Sequence, residues 1–169
     1  LKDLIDAHKN QISSLILTPY HHAGFRPSEM PSKNFWSDVE NECQENKIIL
    51  ILDDVRAGGR LHDGGSHKYF GFTPDMAVYS KGLGNGYAIS ACLGKEFLRE
   101  ASNEVFLTGS CWNDAVAMSA ACKSLEISHS NKVADNVMSK GCYFASAIHE
   151  KAKQYKFSLK LTGPASMPY

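Results

Sequence analysis

Two charged residues stand where apolar runs end. Asp53 follows the aliphatic run IILIL (48–52), and Lys81 follows DMAVYS (75–80) and leads into the glycine-rich GLGNG. A lysine at a strand end beside glycines can form a Schiff base with a carbonyl. Pyridoxal phosphate uses such a lysine. It also needs a carboxylate that keeps its ring nitrogen protonated, so that the ring draws electrons from a substrate's α-carbon. Asp53 suits that task, because low dielectric at the mouth of a hydrophobic strand strengthens an ion pair. Lys81 would be the Schiff-base lysine and then the proton shuttle. By spacing alone, an ordinary exposed pair at two strand ends is the favoured alternative.

Other candidate chemistry is weaker. GLGNG resembles a phosphate-cradling turn, but it runs into the strand-like YAISACLG and lacks the G-x-G-x-x-G spacing of a dinucleotide site. Its glycines are expected to allow close backbone approach beside a bulky cofactor. His21 and His22 are adjacent, and His62 and His67 lie in a loop without a thiolate or a H-E-x-x-H partner, so no metal site is expected. No local signature supports a Cys/His nucleophile pair.

The elements that would position the pair alternate strand and helix. SSLILTPY reads as a short strand ended by Pro19, and Ser32 as the cap of a helix over 33–46 with Phe35, Val39 and Cys43 on its apolar face. IILIL does not alternate, which predicts a parallel strand covered on both faces. Residues 56–74 read as a long ordered loop over the site. DMAVYS and YAISACLG follow as strands, then a short helix near 95–101. A tightly packed helix is expected over 113–127, built on Ala115, Val116, Met118, Ala120, Cys122 and Leu125. A longer helix over 131–153 has its apolar face on Val133, Val137, Met138, Gly141, Phe144, Ala145 and Ile148. FSLKLTGPASMPY reads as a final strand. This is an α/β pattern with a βαβ architecture and its site at the carboxyl ends of the strands.

Bulk properties set the class. The chain has 169 residues, 43% of them hydrophobic, enough for one domain with a real core. Lys+Arg and Asp+Glu both number 18, and with no dense basic run neither a nucleic-acid nor a membrane partner is expected. The five cysteines are scattered without C-x-x-C spacing, the pattern of free thiols in a reducing cytosol. The opening LKDLIDAHKNQ is too polar for a signal segment, so a soluble cytoplasmic protein is expected.

Three stretches, LILDDV, YFGFTPDMAVYSKGLGNGYAISACLG and TGSCWNDAVAMSAACKSLE, resemble in order and spacing the class III pyridoxal-phosphate-dependent aminotransferases of fold type I. The glutamate-1-semialdehyde aminomutase-like branch looks closest. The resemblance runs from about Leu15 to the end and reverses the preference for an ordinary ion pair. It implies a mostly parallel, three-layer α/β/α large domain over 1–130, with a long connecting helix and the start of a small C-terminal domain over 131–169. It implies Lys81 as the Schiff-base lysine, Asp53 as the ring-nitrogen carboxylate and Val55 against the cofactor ring. It further implies Ser110, or Thr108 beside it, as a hydroxyl reaching the cofactor phosphate of a neighbouring subunit. Hydroxyl and backbone N–H donors at a helix start suit a phosphate, and Ser110 could equally cap that helix. The implied assembly is a homodimer with composite active sites, taking a small-molecule amino donor and a carbonyl acceptor.

The sequence departs from the family pattern at three places. Asp53-Asp54 stands where the family often has Asp-Glu, Arg56 where it often has Gln or Met, and Thr18-Pro19 where many members have Glu-Pro. Arg56 would alter contacts near the cofactor O3′ or the substrate carboxylate. Family members are longer: the phosphate loop, the aromatic that stacks on the ring and the substrate-carboxylate arginine are not found here. The implied activity is amino transfer between a donor and a keto or aldehyde acceptor. The alternatives are an aminomutase-type intramolecular transfer, and an inactive fragment acting only as an interaction or dimerisation module.

Overall fold

The structure, a computed structural model, describes residues 1–22 and 24–169. Four strands form one sheet in the order β1 (Ser14–Leu17), β2 (Ile49–Asp53), β3 (Met76–Tyr79) and β4 (Ala91–Gly94). β1, β2 and β3 are parallel, and β4 returns antiparallel beside β3. Helix α2 (Phe35–Glu45) makes the crossover from β1 to β2, and the short α3 (Ser66–Phe70) lies between β2 and β3. The expected mostly parallel α/β sheet is therefore present.

The core gathers on the α2 side of β2. Leu50 and Leu52 are buried there with Ile48, Val39, Cys43, Phe72 and Ala77, and Ile5 of α1 (Lys2–Ala7) closes the cluster. Trp36 anchors it by stacking on Phe72, with centroids 4.1 Å apart. Its indole N–H is not left unpaired in the apolar setting, since Nε1 donates to Pro19 O at 3.0 Å. Trp36, rather than the half-exposed Phe35, therefore belongs to the inward face of α2. Ser32 does not cap that helix by its side chain; its carbonyl accepts the Phe35 N–H instead. Ile49 and Ile51 on the opposite face of β2 are only half-covered, so the two-sided burial expected of IILIL is complete on one face alone.

Beyond the sheet, α4 (Arg99–Glu104) is short, and α5 (Ala115–Ser130) and α6 (Val133–Gln154) form a hairpin. The expected tight packing of α5 is not found. Ala117 and Ala121 are buried, while Val116, Met118 and Leu125 are exposed, because no element among the described residues covers that side. The inward face of α6 is as expected except that Phe144 is exposed. FSLKLTGPASMPY is not a strand. It lies along α6 with no neighbouring strand to ladder with among the described residues, and its end folds back through paired backbone bonds between Thr162 and Tyr169. Gly141 permits this packing: a Cβ there would fall 1.8 Å from Ala165 O.

Candidate active site

Asp53 ends β2 and Lys81 begins the turn after β3, so neighbouring parallel strands deliver both at their carboxyl ends. The Val55 N–H donates to Asp53 Oδ1 at 3.2 Å and restricts the carboxylate to one orientation. Lys81 has φ +48°, a left-handed conformation that costs an L-residue roughly 1–2 kcal/mol. Such strain persists only where surrounding structure fixes it.

His22 joins the pair. Its imidazole is half-buried, and its proton affinity is lowered chiefly by that burial, then by the Arg56 and Lys81 charges, against opposing pulls from its own backbone and from Asp53. One imidazole thus feels both Asp53 and Lys81. Arg56 Nη1 donates to His22 O at 2.8 Å and lies 3.4 Å from Nδ1, while Nε2 is buried without a partner among the described residues. Arg56 is consequently bound to the Thr18–His22 segment rather than free.

The loop after Asp53 closes on a buried carboxylate. Asp54 is fully buried, and it accepts the Ser66 N–H at 2.7 Å and the Ser66 hydroxyl at 2.5 Å. Burial pushes its carboxyl above the ordinary range, and the two Ser66 bonds pull it back. Tyr79 beneath the loop is raised too, by burial and by the Asp54 charge. Gly65, at φ +99°, brings the loop across Tyr79 so closely that a Cβ would fall 2.5 Å from the phenol oxygen. The expected ordered loop is present, with the unexpected α3 inside it.

Further out, Asp63 Oδ1 accepts the Ser128 hydroxyl at 3.0 Å and the Ala134 N–H at 3.1 Å, tying this loop to the α5–α6 corner. Ser124 on α5 donates to Gly82 O at 3.2 Å, one residue past Lys81. Thr108 and Ser110 lie in an exposed run with Phe106 and Trp112, and neither hydroxyl is hydrogen-bonded among the described residues. Ser110 is not the cap of α5. Asp114 is, accepting the Val116 and Ala117 N–H groups.

The sequence pattern missed His22, Ser66, Asp63, Ser124 and Ser128. Only the i, i+4 spacing of the two serines on α5 was a usable signal, since the other partners meet across the fold. No three His, Cys, Asp or Glu residues come together to hold a metal among the described residues. His62 Nδ1 accepts the Gly64 N–H, and His67 packs edge-on against Phe72. No helix among the described residues is long and apolar enough to cross a membrane.

The family described as Aminotransferase class-III matches residues 1–164. An aminopentol aminotransferase of Sphingopyxis macrogoltabida is 33% identical over 99% of this chain and 40% of its own length. A glutamate-1-semialdehyde 2,1-aminomutase of Geotalea daltonii is 28% identical over 99% of this chain and 39% of its own. Among solved structures, the PLP internal aldimine form of the FumI protein of Sphingopyxis sp. MTA144 superposes with a TM-score of 0.95. It is 33% identical and covers 99% of this chain and 40% of that one. The chain thus spans about two fifths of the length of the curated relatives it matches.

Proposed function

The chain belongs to the class III aminotransferase family, and on that footing we propose that it carries the Schiff-base lysine and ring-nitrogen carboxylate of a pyridoxal-phosphate-dependent aminotransferase. The reaction moves an amino group between a small-molecule amino donor and a keto or aldehyde acceptor. The observation that carries this reading is Asp53 and Lys81 at the carboxyl ends of adjacent parallel strands. The donor set fits the cofactor: an amine, a carboxylate, and a buried His22 Nε2 that has no partner in the described chain.

Bound there, pyridoxal phosphate supplies a carbonyl that takes up an amine and a ring that withdraws electrons from that amine's α-carbon. Asp53, oriented by the Val55 N–H, would hold the proton on the ring nitrogen. Val55 would pack against the cofactor ring. Lys81 Nζ would hold the cofactor and would carry the proton at the substrate α-carbon. Arg56, held by the His22 carbonyl, would place positive charge near the cofactor O3′ or the substrate carboxylate.

Ser110, or Thr108 beside it, would serve the phosphate of a second subunit in a homodimer with composite sites; their exposed position among uncovered apolar residues supports this. Residues 131–169 are read as the connecting helix and the beginning of a smaller domain. A reducing cytoplasmic setting accords with the five free cysteines. The decisive assay follows amino transfer from a panel of amines to keto acids and aldehydes, with Lys81→Ala expected to abolish it. Persistent turnover by that variant would reject the reading. The aminomutase relative favours a second reading. A mutase consumes glutamate semialdehyde with no added partner substrate, and an aminotransferase does not.

A further inference from the structure

Serines inside helices commonly bond their own preceding turn, as Ser119 does here by donating to Ala115 O at 2.7 Å. Ser124 and Ser128 on the same helix do otherwise and reach out to two different elements. The first holds Gly82 O at 3.2 Å and the second holds Asp63 Oδ1 at 3.0 Å. Four residues apart, they sit on one face of α5, about 6 Å along its axis. Ala117 and Ala121 on that face are buried, so the helix cannot rotate without losing packing. The same Asp63 oxygen accepts the Ala134 N–H at 3.1 Å, which fixes the loop to the start of α6 as well.

We propose that Ser124, Ser128 and Asp63 are positioning residues: a strut on α5 that sets the Lys81 turn at a fixed distance from the loop following Asp53. The inference rests on the reading of Lys81 and Asp53 as the reacting pair. Inside the turn, the Leu83 N–H donates to Ser80 O, the Asn85 N–H to Lys81 O and the Ser80 hydroxyl to Ile89 O. All of these are local. Among the described residues, the Ser124 bond is the one that reaches Lys81–Gly86 from another element. A turn that begins with a strained left-handed Lys81 needs such an external hold, or it relaxes and carries the amine away from Asp53.

The test compares Ser124→Ala/Ser128→Ala with Ser124→Thr/Ser128→Thr, and with Ser119→Ala as the control, in the protein purified as encoded. Two quantities are read. One is amide exchange at Leu83 and Asn85. The other is the rate at which pyridoxal phosphate plus borohydride labels Lys81. The alanine pair is expected to raise exchange and slow labelling by roughly tenfold, the scale of one or two hydrogen bonds. The threonine pair, which keeps both hydroxyls, and the Ser119 variant should match wild type. Wild-type exchange and labelling in the alanine pair, or an equal change in the control, would overturn the strut. If wild-type Lys81 takes no label, it is the functional reading that fails, and the exchange data alone decide the strut.

Discussion

Replacing Asp54 by alanine removes the acceptor for two donors of Ser66 in a site with no solvent. The carboxylate accepts the Ser66 N–H and hydroxyl at 2.7 and 2.5 Å, and both residues are fully buried. A hydrogen bond to a charged group contributes about 1.5–3 kcal/mol, so the two together hold roughly 3–6 kcal/mol. Against this stands the cost of burying the charge, the largest influence on the carboxyl and the reason its proton affinity is raised. Part of the gain is therefore cancelled, and the expected net loss is about 2–4 kcal/mol. Asp54→Asn should lose less, about 1–2 kcal/mol, because its amide oxygen still accepts one Ser66 donor. Urea unfolding of wild type and both variants at neutral pH measures these differences from the midpoints. An alanine variant within about 0.5 kcal/mol of wild type, or an asparagine variant worse than alanine, would refute the account of this loop.

Three further outcomes follow. Native His22 and His67 have proton affinities lowered chiefly by burial, whereas the unfolded chain titrates near the ordinary 6.5. The unfolded state thus takes up more protons as pH falls through about 6.5, and stability drops there before levelling below the native values. His22→Gln/His67→Gln should flatten that decline in a pH series of urea midpoints; Asp54, whose native carboxyl takes its proton first, works in the opposite direction. The Cys43 thiol is buried and pushed up to about 11, so iodoacetamide near pH 8 should modify the four exposed cysteines and spare Cys43 until the protein unfolds. Gly141→Ala ordinarily gains about 1 kcal/mol inside a helix. Here the new methyl meets Ala165 O, so a loss of about 2 kcal/mol and faster proteolysis within 157–169 are expected.

Much of the scaffold was legible because parallel strands leave strong local marks. The unbroken IILIL and the DMAVYS run placed β2 and β3, and with them Asp53 and Lys81. The prediction failed where a residue's neighbour comes from elsewhere. FSLKL alternates like a strand, yet a strand needs a free edge and this segment meets the side of α6. The apolar character of α5 implied packing, but among the described residues only the Ala117–Ala121 face finds a partner. At the candidate site, Asp53 and Lys81 could be placed at strand ends from type and position, and their proposed chemistry came from the resemblance of the surrounding motifs. Their supports could not be placed, since Asp54–Ser66, Arg56–His22 and Asp63–Ser128 are contacts between separate segments. Lys81's left-handed backbone was equally invisible, because lysine has no preference for that conformation.

The central claim, that Lys81 is the residue that binds pyridoxal phosphate, is tested most directly by adding the cofactor to the protein purified as encoded, reducing with borohydride and mapping the label by peptide mass. The account predicts a stoichiometric label on Lys81, lost in Lys81→Ala and weakened in Asp53→Ala. A label absent from Lys81, or spread over other lysines and unchanged in the Lys81 variant, would contradict it.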